Sequence, residues 1–185
     1  MIDLHSHILP GLDDGARTLD DSRAIARHAA AEGITAIAAT PHVRDDWPTS
    51  VDRMEAAVAR LRADFADAQI PVEVLSGGEI AFDRLPMLSP EELDRFSLAR
   101  SGRYLLVETP YVGWPLGLER TIRELTGSGL TPLLAHPERN GEVHRDLERV
   151  ERAVAAGALV QVTAASLDGR LGRRTRATSV SLLER

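Results

Sequence analysis

The sequence predicts an α/β protein of alternating strands and helices, with the strands buried and parallel. Three observations predict it. Short continuous apolar runs, such as residues 34–39 and 131–135, suit strands covered on both faces. Between the runs, apolar residues recur at helical spacing, as in Val51, Met54, Val58, Leu61 and Phe65. Polar and ligand-type residues collect where the strands end, which is the active-site end of barrels and open α/β sheets.

The chain opens on a strand over residues 2–5 that runs into His5-Ser6-His7. Side chains alternate along a strand, so His5 and His7 project from one face about 7 Å apart along the backbone. Two imidazoles so placed can share a metal ion. Pro10, Gly11 and Gly15 force a turn that brings Asp13 and Asp14 back towards them. Nitrogen with carboxylate suits Zn, Mn or Fe. A lone strand histidine is more often a core or surface residue than a ligand, so His-x-His counts only if other ligands end other strands.

Thr18 is an N-cap before an acidic first turn, giving a helix over 19–32 stopped by Gly33. The run 34–39 ends at Thr40-Pro41-His42, so His42 sits just past a strand end. A charged loop over 43–50 leads to a helix over 50–67, whose Met54 and Phe65 belong to the core. The strand 72–75 ends at Gly77-Gly78-Glu79. The two glycines allow a sharp turn and close approach to a ligand. Glu79 is either a solvated loop residue or a metal ligand.

Ser89-Pro90-Glu91-Glu92 is a capping box with proline at the first helical position. A buried strand over 104–107 ends at Glu108. Residues 115–125 read as helix, 131–135 as a strand ending at His136-Pro137-Glu138-Arg139, and 143–156 as helix with His144 on its solvent face. His28 reads as solvent-exposed too. A sixth strand covers 158–162, and a helix covers 171–185.

Composition removes several function classes. With 185 residues the chain can bury one core, and 43% hydrophobic with 27% charged residues is ordinary for a soluble globular protein. No apolar run has membrane-spanning length and no signal peptide is visible, which, with the absence of cysteine, fits a cytoplasmic protein. A net charge of −6 argues against a nucleic-acid partner. All 22 basic residues are arginine, so a Schiff base, a Walker-type lysine and a carbamylated-lysine metal bridge are excluded.

Four of the six histidines stand at strand ends with Glu79 and Glu108. The blocks Asp3-Leu-His-Ser-His7-Ile-Leu-Pro-Gly-Leu-Asp-Asp-Gly15, Ala39-Thr-Pro-His42, Gly78-Glu79-Ile80, Leu106-Val-Glu108-Thr-Pro-Tyr111 and Ala135-His-Pro-Glu-Arg139 resemble the PHP superfamily. Within it the chain resembles the bacterial metal-dependent tyrosine-protein phosphatases of capsule and exopolysaccharide operons. The resemblance covers essentially the whole chain. It implies a distorted TIM-like β/α barrel, a single PHP-type domain over 1–185, and up to three divalent ions, manganese first with iron or zinc as alternatives. It implies His5, His7 and Glu108 around one metal, Glu79, Glu108 and His136 around a second with Glu108 bridging, and Asp14 with His42 at a third. His136 and Arg139 would be catalytic. Arg139, Tyr111 and Trp114 would bind substrate, the guanidinium on phosphate and the rings against the tyrosine. The partner it implies is a phosphotyrosine protein, a tyrosine kinase of polysaccharide export.

The family pattern also includes a further strand ending in Asp-x-His, and no Asp-x-His follows Val162. On this reading the domain is C-terminally incomplete relative to the family. The first and third metal sites then each lack a protein ligand, while the second keeps all of its own. A barrel short of its last strand leaves edges on the first and sixth strands, open to pairing with another copy of the chain. The competing readings are another PHP phosphoesterase acting on a histidinol phosphate-like or nucleotide substrate, a catalytically impaired metal-binding module, and an amidohydrolase. Lack of lysine weakens the last.

Overall fold

The computed structural model describes residues 1–185 and is a mixed α/β fold with parallel sheets. The chain divides into two compact units, residues 1–106 and 107–185. No helix is long and apolar enough to cross a membrane.

In the first unit β1 (Ile2–Ser6), α1 (Leu19–Ala31), β2 (Ala36–Ala39), β3 (His42–Val43), α2 (Val51–Asp67), β4 (Glu73–Ser76), β5 (Glu79–Ala81) and α3 (Pro90–Phe96) follow in order. β1, β2 and β4 form a parallel sheet in that order, with Ile2 opposite Ala36 and Ala36 opposite Glu73. β2 is central and buried at every residue, as its apolar run requires. α2 lays Met54, Val58, Leu61 and Phe65 against this unit's core, all four buried. The caps are those the sequence specifies: Thr18 with Asp21 and Ser89 with Glu92 form reciprocal capping boxes.

Two expectations change here. β1 is an edge strand, and Ile2 and Leu4 are exposed on its outer face rather than buried. At Gly78 packing alone already excludes a side chain: a Cβ there would lie 2.7 Å from the Phe96 ring. β3 and β5 are new. They are too short for any periodicity to announce, yet they pair in parallel with His42 opposite Glu79.

β6 (Tyr104–Glu108) leads into the second unit, which holds α4 (Leu118–Gly127), β7 (Thr131–Ala135), α5 (Glu148–Ala155), β8 (Leu159–Gln161), α6 (Ala164–Leu167) and α7 (Arg173–Leu183). β7 and β8 pair in parallel, Ala135 opposite Gln161, and α4 covers β7 with Leu118 and Ile122 buried. β7 matches its predicted range. Three helices begin later than the sequence suggests, each for a local reason. Gly117 sits in the left-handed region (φ 78°) and stops α4 from starting at 115. Gly172 (φ 101°) separates α6 from α7. The helix expected from 143 is split into a short turn capped by Asn140, whose Oδ1 accepts from the Glu142 and Val143 N–H groups, and α5, where Asp146 Oδ1 takes the Glu148 N–H.

Candidate metal centre and anion grip

The turn after β1 is built backwards onto His7. The Ala16 N–H donates to the His7 carbonyl (2.9 Å) and the Gly11 N–H to the Ala16 carbonyl (2.8 Å). A Cβ on Gly15 would lie 2.0 Å from the His7 carbonyl oxygen, so no side chain fits there. The Ser6 N–H donates to Thr40 Oγ1 (3.0 Å), fixing the end of β1 against the end of β2. These bonds deliver three imidazoles and a carboxylate to one point. Glu79, fully buried, places Oε2 3.3 Å from His5 Nε2, 3.3 Å from His7 Nε2 and 2.9 Å from His42 Nδ1. His5 Nε2 and His7 Nε2 are themselves 3.3 Å apart.

Asp13 decides which nitrogen His7 offers. It is buried, accepts from His7 Nδ1 (2.7 Å), and also accepts from the backbone N–H groups of Gly15 (3.0 Å) and His42 (3.0 Å). A proton held on Nδ1 leaves the Nε2 lone pair pointing at Glu79 and His5, the arrangement that a carboxylate imposes on a metal-ligating histidine. Burial alone would lower the His7 pKa, but the bonds to Asp13 and Glu79 outweigh it and push it up to about 10. Burial would raise the Asp13 carboxyl, but His7 and the two amides hold it below the ordinary carboxylate range.

The donor set fits a divalent cation. Lone pairs on His5 Nε2, His7 Nε2 and Glu79 Oε2 converge and repel unless positive charge sits among them. The raised His7 pKa expresses that demand as a proton. The three mutual separations of 3.3 Å also match a metal's requirement: ligand atoms about 2.1 Å from a tetrahedral ion lie about 3.4 Å from one another. Asp14, largely exposed, places Oδ1 3.6 Å from His42 Nε2 and 4.0 Å from His7 Nδ1. The structure therefore brings together the predicted pair Asp14 and His42. It also stands Glu79 with His5 and His7, whereas the resemblance had assigned it to the second metal alone.

In the second unit Glu108, at the end of β6, and His136, after β7, are both buried, with His136 Nε2 4.0 Å from Glu108 Oε1. His136 adopts a left-handed backbone (φ 34°, ψ 51°), which turns the chain sharply into the Pro137–Arg139 turn. Arg139 makes no ion pair there. Its Nη2 donates weakly to Thr163 Oγ1 (3.4 Å), and its buried Nε has no hydrogen-bond partner. Glu138, fully buried, does not neutralise it: Oε1 accepts from the Thr163 N–H (3.0 Å) and Ser166 Oγ (2.6 Å). Tyr111, 47% exposed, has its ring centroid 6.0 Å from that of His136. Trp114 is half-buried and shows no ring contact. His144, expected on a solvent face, instead puts Nε2 2.6 Å from the Glu138 carbonyl oxygen, because the helix expected there is a turn. His28 is exposed as expected.

The family of capsular polysaccharide synthesis proteins CpsB/CapC matches residues 1–185 in full. This chain belongs to the CpsB/CapC family. The tyrosine-protein phosphatase YwqE of Bacillus subtilis (strain 168) is 36% identical over 191 residues, covering all of this chain and 72% of YwqE. The putative tyrosine-protein phosphatase CapC of Staphylococcus aureus is 28% identical over 187 residues, covering all of this chain and 72% of CapC. Among solved structures, a chain from the crystal structures of YwqE from Bacillus subtilis and CpsB from Streptococcus pneumoniae, described as unique metal-dependent tyrosine phosphatases, superposes with a TM-score of 0.91. It is 34% identical, and the match covers all of this chain and 74% of that one.

Sequence reading placed the ligand-type residues of this CpsB/CapC chain but missed three that organise them. In the sequence Asp13 is only a carboxylate near the histidines, and its burial beneath His7 separates it from Asp14. Glu138 and Asn140 carried no signal beyond their place beside Arg139.

Proposed function

We propose that this chain is a metal-dependent phosphatase that hydrolyses phosphotyrosine on protein, its substrate being a tyrosine kinase of capsular or exopolysaccharide export. The observation that carries the reading is the convergence of His5 and His7 on Glu79 at mutual spacings a divalent ion would set, with His42 beside them. Membership in the CpsB/CapC family and likeness to proteins named tyrosine-protein phosphatases support it. We read the fold as one PHP-type domain, a distorted β/α barrel, and the protein as cytoplasmic. β1 and β8 each pair on one side and are edge strands, the surface through which self-association would run.

The metal ligands on this reading are His5, His7, Asp14, His42, Glu79, Glu108 and His136, holding up to three ions, manganese before iron or zinc. Imidazole and carboxylate oxygen suit all three metals. Held by these residues, divalent ions would supply charge to neutralise the phosphate dianion and Lewis acidity to lower the pKa of water towards neutrality. The chain's own groups do the rest. Asp13 keeps the His7 tautomer that presents Nε2. Arg139, a guanidinium without a carboxylate partner, clasps phosphate oxygens bidentately as charge develops. Tyr111 offers a ring face to the substrate ring.

The test is metal per chain by elemental analysis of protein purified without chelator, with manganese-dependent hydrolysis of a phosphotyrosine peptide measured on the same sample. Two or three ions with turnover is the expected result. One ion or none, without turnover, overturns the proposal. Turnover of small phosphate esters with none of the peptide moves the chain to another phosphoesterase class.

A further inference from the structure

Asn140 is nearly inaccessible (1% exposed), and every hydrogen-bonding position on its side chain is used. Nδ2 donates to the Pro110 carbonyl (2.5 Å) and the Gly113 carbonyl (2.7 Å). Oδ1 accepts from the N–H groups of Glu142 (2.7 Å) and Val143 (3.2 Å). A primary amide has two donors and two acceptor sites, so this one is saturated. The Gly141 N–H adds a fifth bond, to the Tyr111 carbonyl (2.9 Å). One buried side chain thus fastens the loop after β6 to the loop after β7. The first of those loops carries Tyr111 and the second carries Arg139.

The fastened loop needs such help. Val112 and Leu116 are 87% and 98% exposed, so among its apolar side chains only the half-buried Trp114 and Pro115 anchor it. Its position comes from backbone carbonyls gripped at Pro110, Tyr111 and Gly113. A ring wall is useful only if its distance from the phosphate grip is fixed, because a small misplacement of a binding group costs rate steeply.

We propose that Asn140 is the specificity-positioning residue of this site: by fastening Pro110 and Gly113 it sets the spacing between the Tyr111 ring and the Arg139 guanidinium, and so selects aryl over alkyl phosphates. The proposal rests on the phosphotyrosine reading above. Asn140 touches no reacting atom and acts through Tyr111.

Asn140→Asp is the selective test. It keeps the acceptor for Glu142 and Val143 but turns both donors into acceptors facing the Pro110 and Gly113 carbonyls. Kinetics with manganese are compared on a phosphotyrosine peptide and a phosphoserine peptide of the same surrounding sequence. The expected result is a rise in KM for the phosphotyrosine peptide of about threefold to tenfold, the worth of one aromatic contact, with kcat held and the phosphoserine reaction unchanged. Tyr111→Ala should give the same loss, and the double variant no more than either single one, since both remove one interaction. Amide exchange should quicken at Gly141, whose N–H donates to the Tyr111 carbonyl. If Asn140→Asp does not fold, Asn140→Ser, which leaves room for water to reach the same carbonyls, must show the same loss of preference. A wild-type protein with the aryl preference and variants that keep it overturns the role of Asn140 alone. A wild-type protein with no aryl preference overturns the phosphotyrosine reading, and the selectivity role with it. A fall in kcat with KM held, alike on both peptides, assigns Asn140 to holding Arg139 and overturns the proposal.

Discussion

The two functional regions are built by opposite means. Around Glu79 in the first unit, side chains hold one another: three imidazoles meet one carboxylate within 3.3 Å, and a second carboxylate, Asp13, holds one imidazole from behind. Around Arg139 in the second unit, side chains hold the backbone. Asn140 grips carbonyls and amides, Glu138 grips the Thr163 amide and the Ser166 hydroxyl, and the guanidinium is left without an ion pair. The first region has an excess of lone pairs and asks for a cation. The second has spare donors, which on the proposed reading would meet an anion. A phosphatase needs both, and the difference teaches that the two should fail differently when broken.

The largest effect should follow Glu79→Gln. The amide keeps the shape but loses the charge on which three imidazoles converge, so bound metal and phosphatase activity should fall together, activity by about 10³-fold. Retained metal by elemental analysis would show that the convergence is incidental. Arg139→Lys comes next. Lysine keeps the charge but not the planar fork, so kcat should drop by about 10²-fold while metal content stays at the wild-type value. Loss of metal in this variant would erase the distinction between the regions. Asp13→Asn tests support of the ligands rather than the ligands themselves. Metal affinity should weaken about 10- to 100-fold, the usual cost of losing a histidine's carboxylate partner, with kcat at saturating manganese nearly restored.

The same contrast explains what was legible in the sequence. The first region announces itself, because His5-Ser6-His7 and the turn residues Pro10, Gly11 and Gly15 are local, and strand alternation puts both imidazoles on one face. What could not be read is that His42 and Glu79 oppose each other across β3 and β5, since strands of two and three residues have no period to detect. The same holds for Asp13 and Asp14. They are adjacent letters, and only the fold decides that one is buried under His7 and the other faces solvent. In the second region β7 was legible to the residue, because its run is apolar and bounded by turn signals. The turns over 141–147 were not, because the break depends on Asn140 and Asp146 each capping its own segment, which helical spacing does not show.

The smallest effect per step is also the one most particular to the first region. In the metal-free protein the His7 imidazolium is stabilised by Asp13 and Glu79 against the cost of burial, and its pKa is pushed up to about 10 from an ordinary 6.5. A raised folded-state pKa means that protonated His7 favours the fold fully below about pH 6.5, and that this contribution is lost as pH rises through about 10. Metal binding runs the other way. The ion must displace that proton, so manganese affinity should climb with pH between those values by up to about tenfold per unit, and binding near pH 7 should release about one proton from His7. Calorimetric titration in buffers of different ionisation enthalpy counts the released protons directly. Asp13→Asn removes one of the two carboxylates that hold the proton and should flatten the slope even as it weakens binding. An unchanged slope in Asp13→Asn would mean that the proton sits elsewhere in the cluster, and that His7 is not the group the metal replaces.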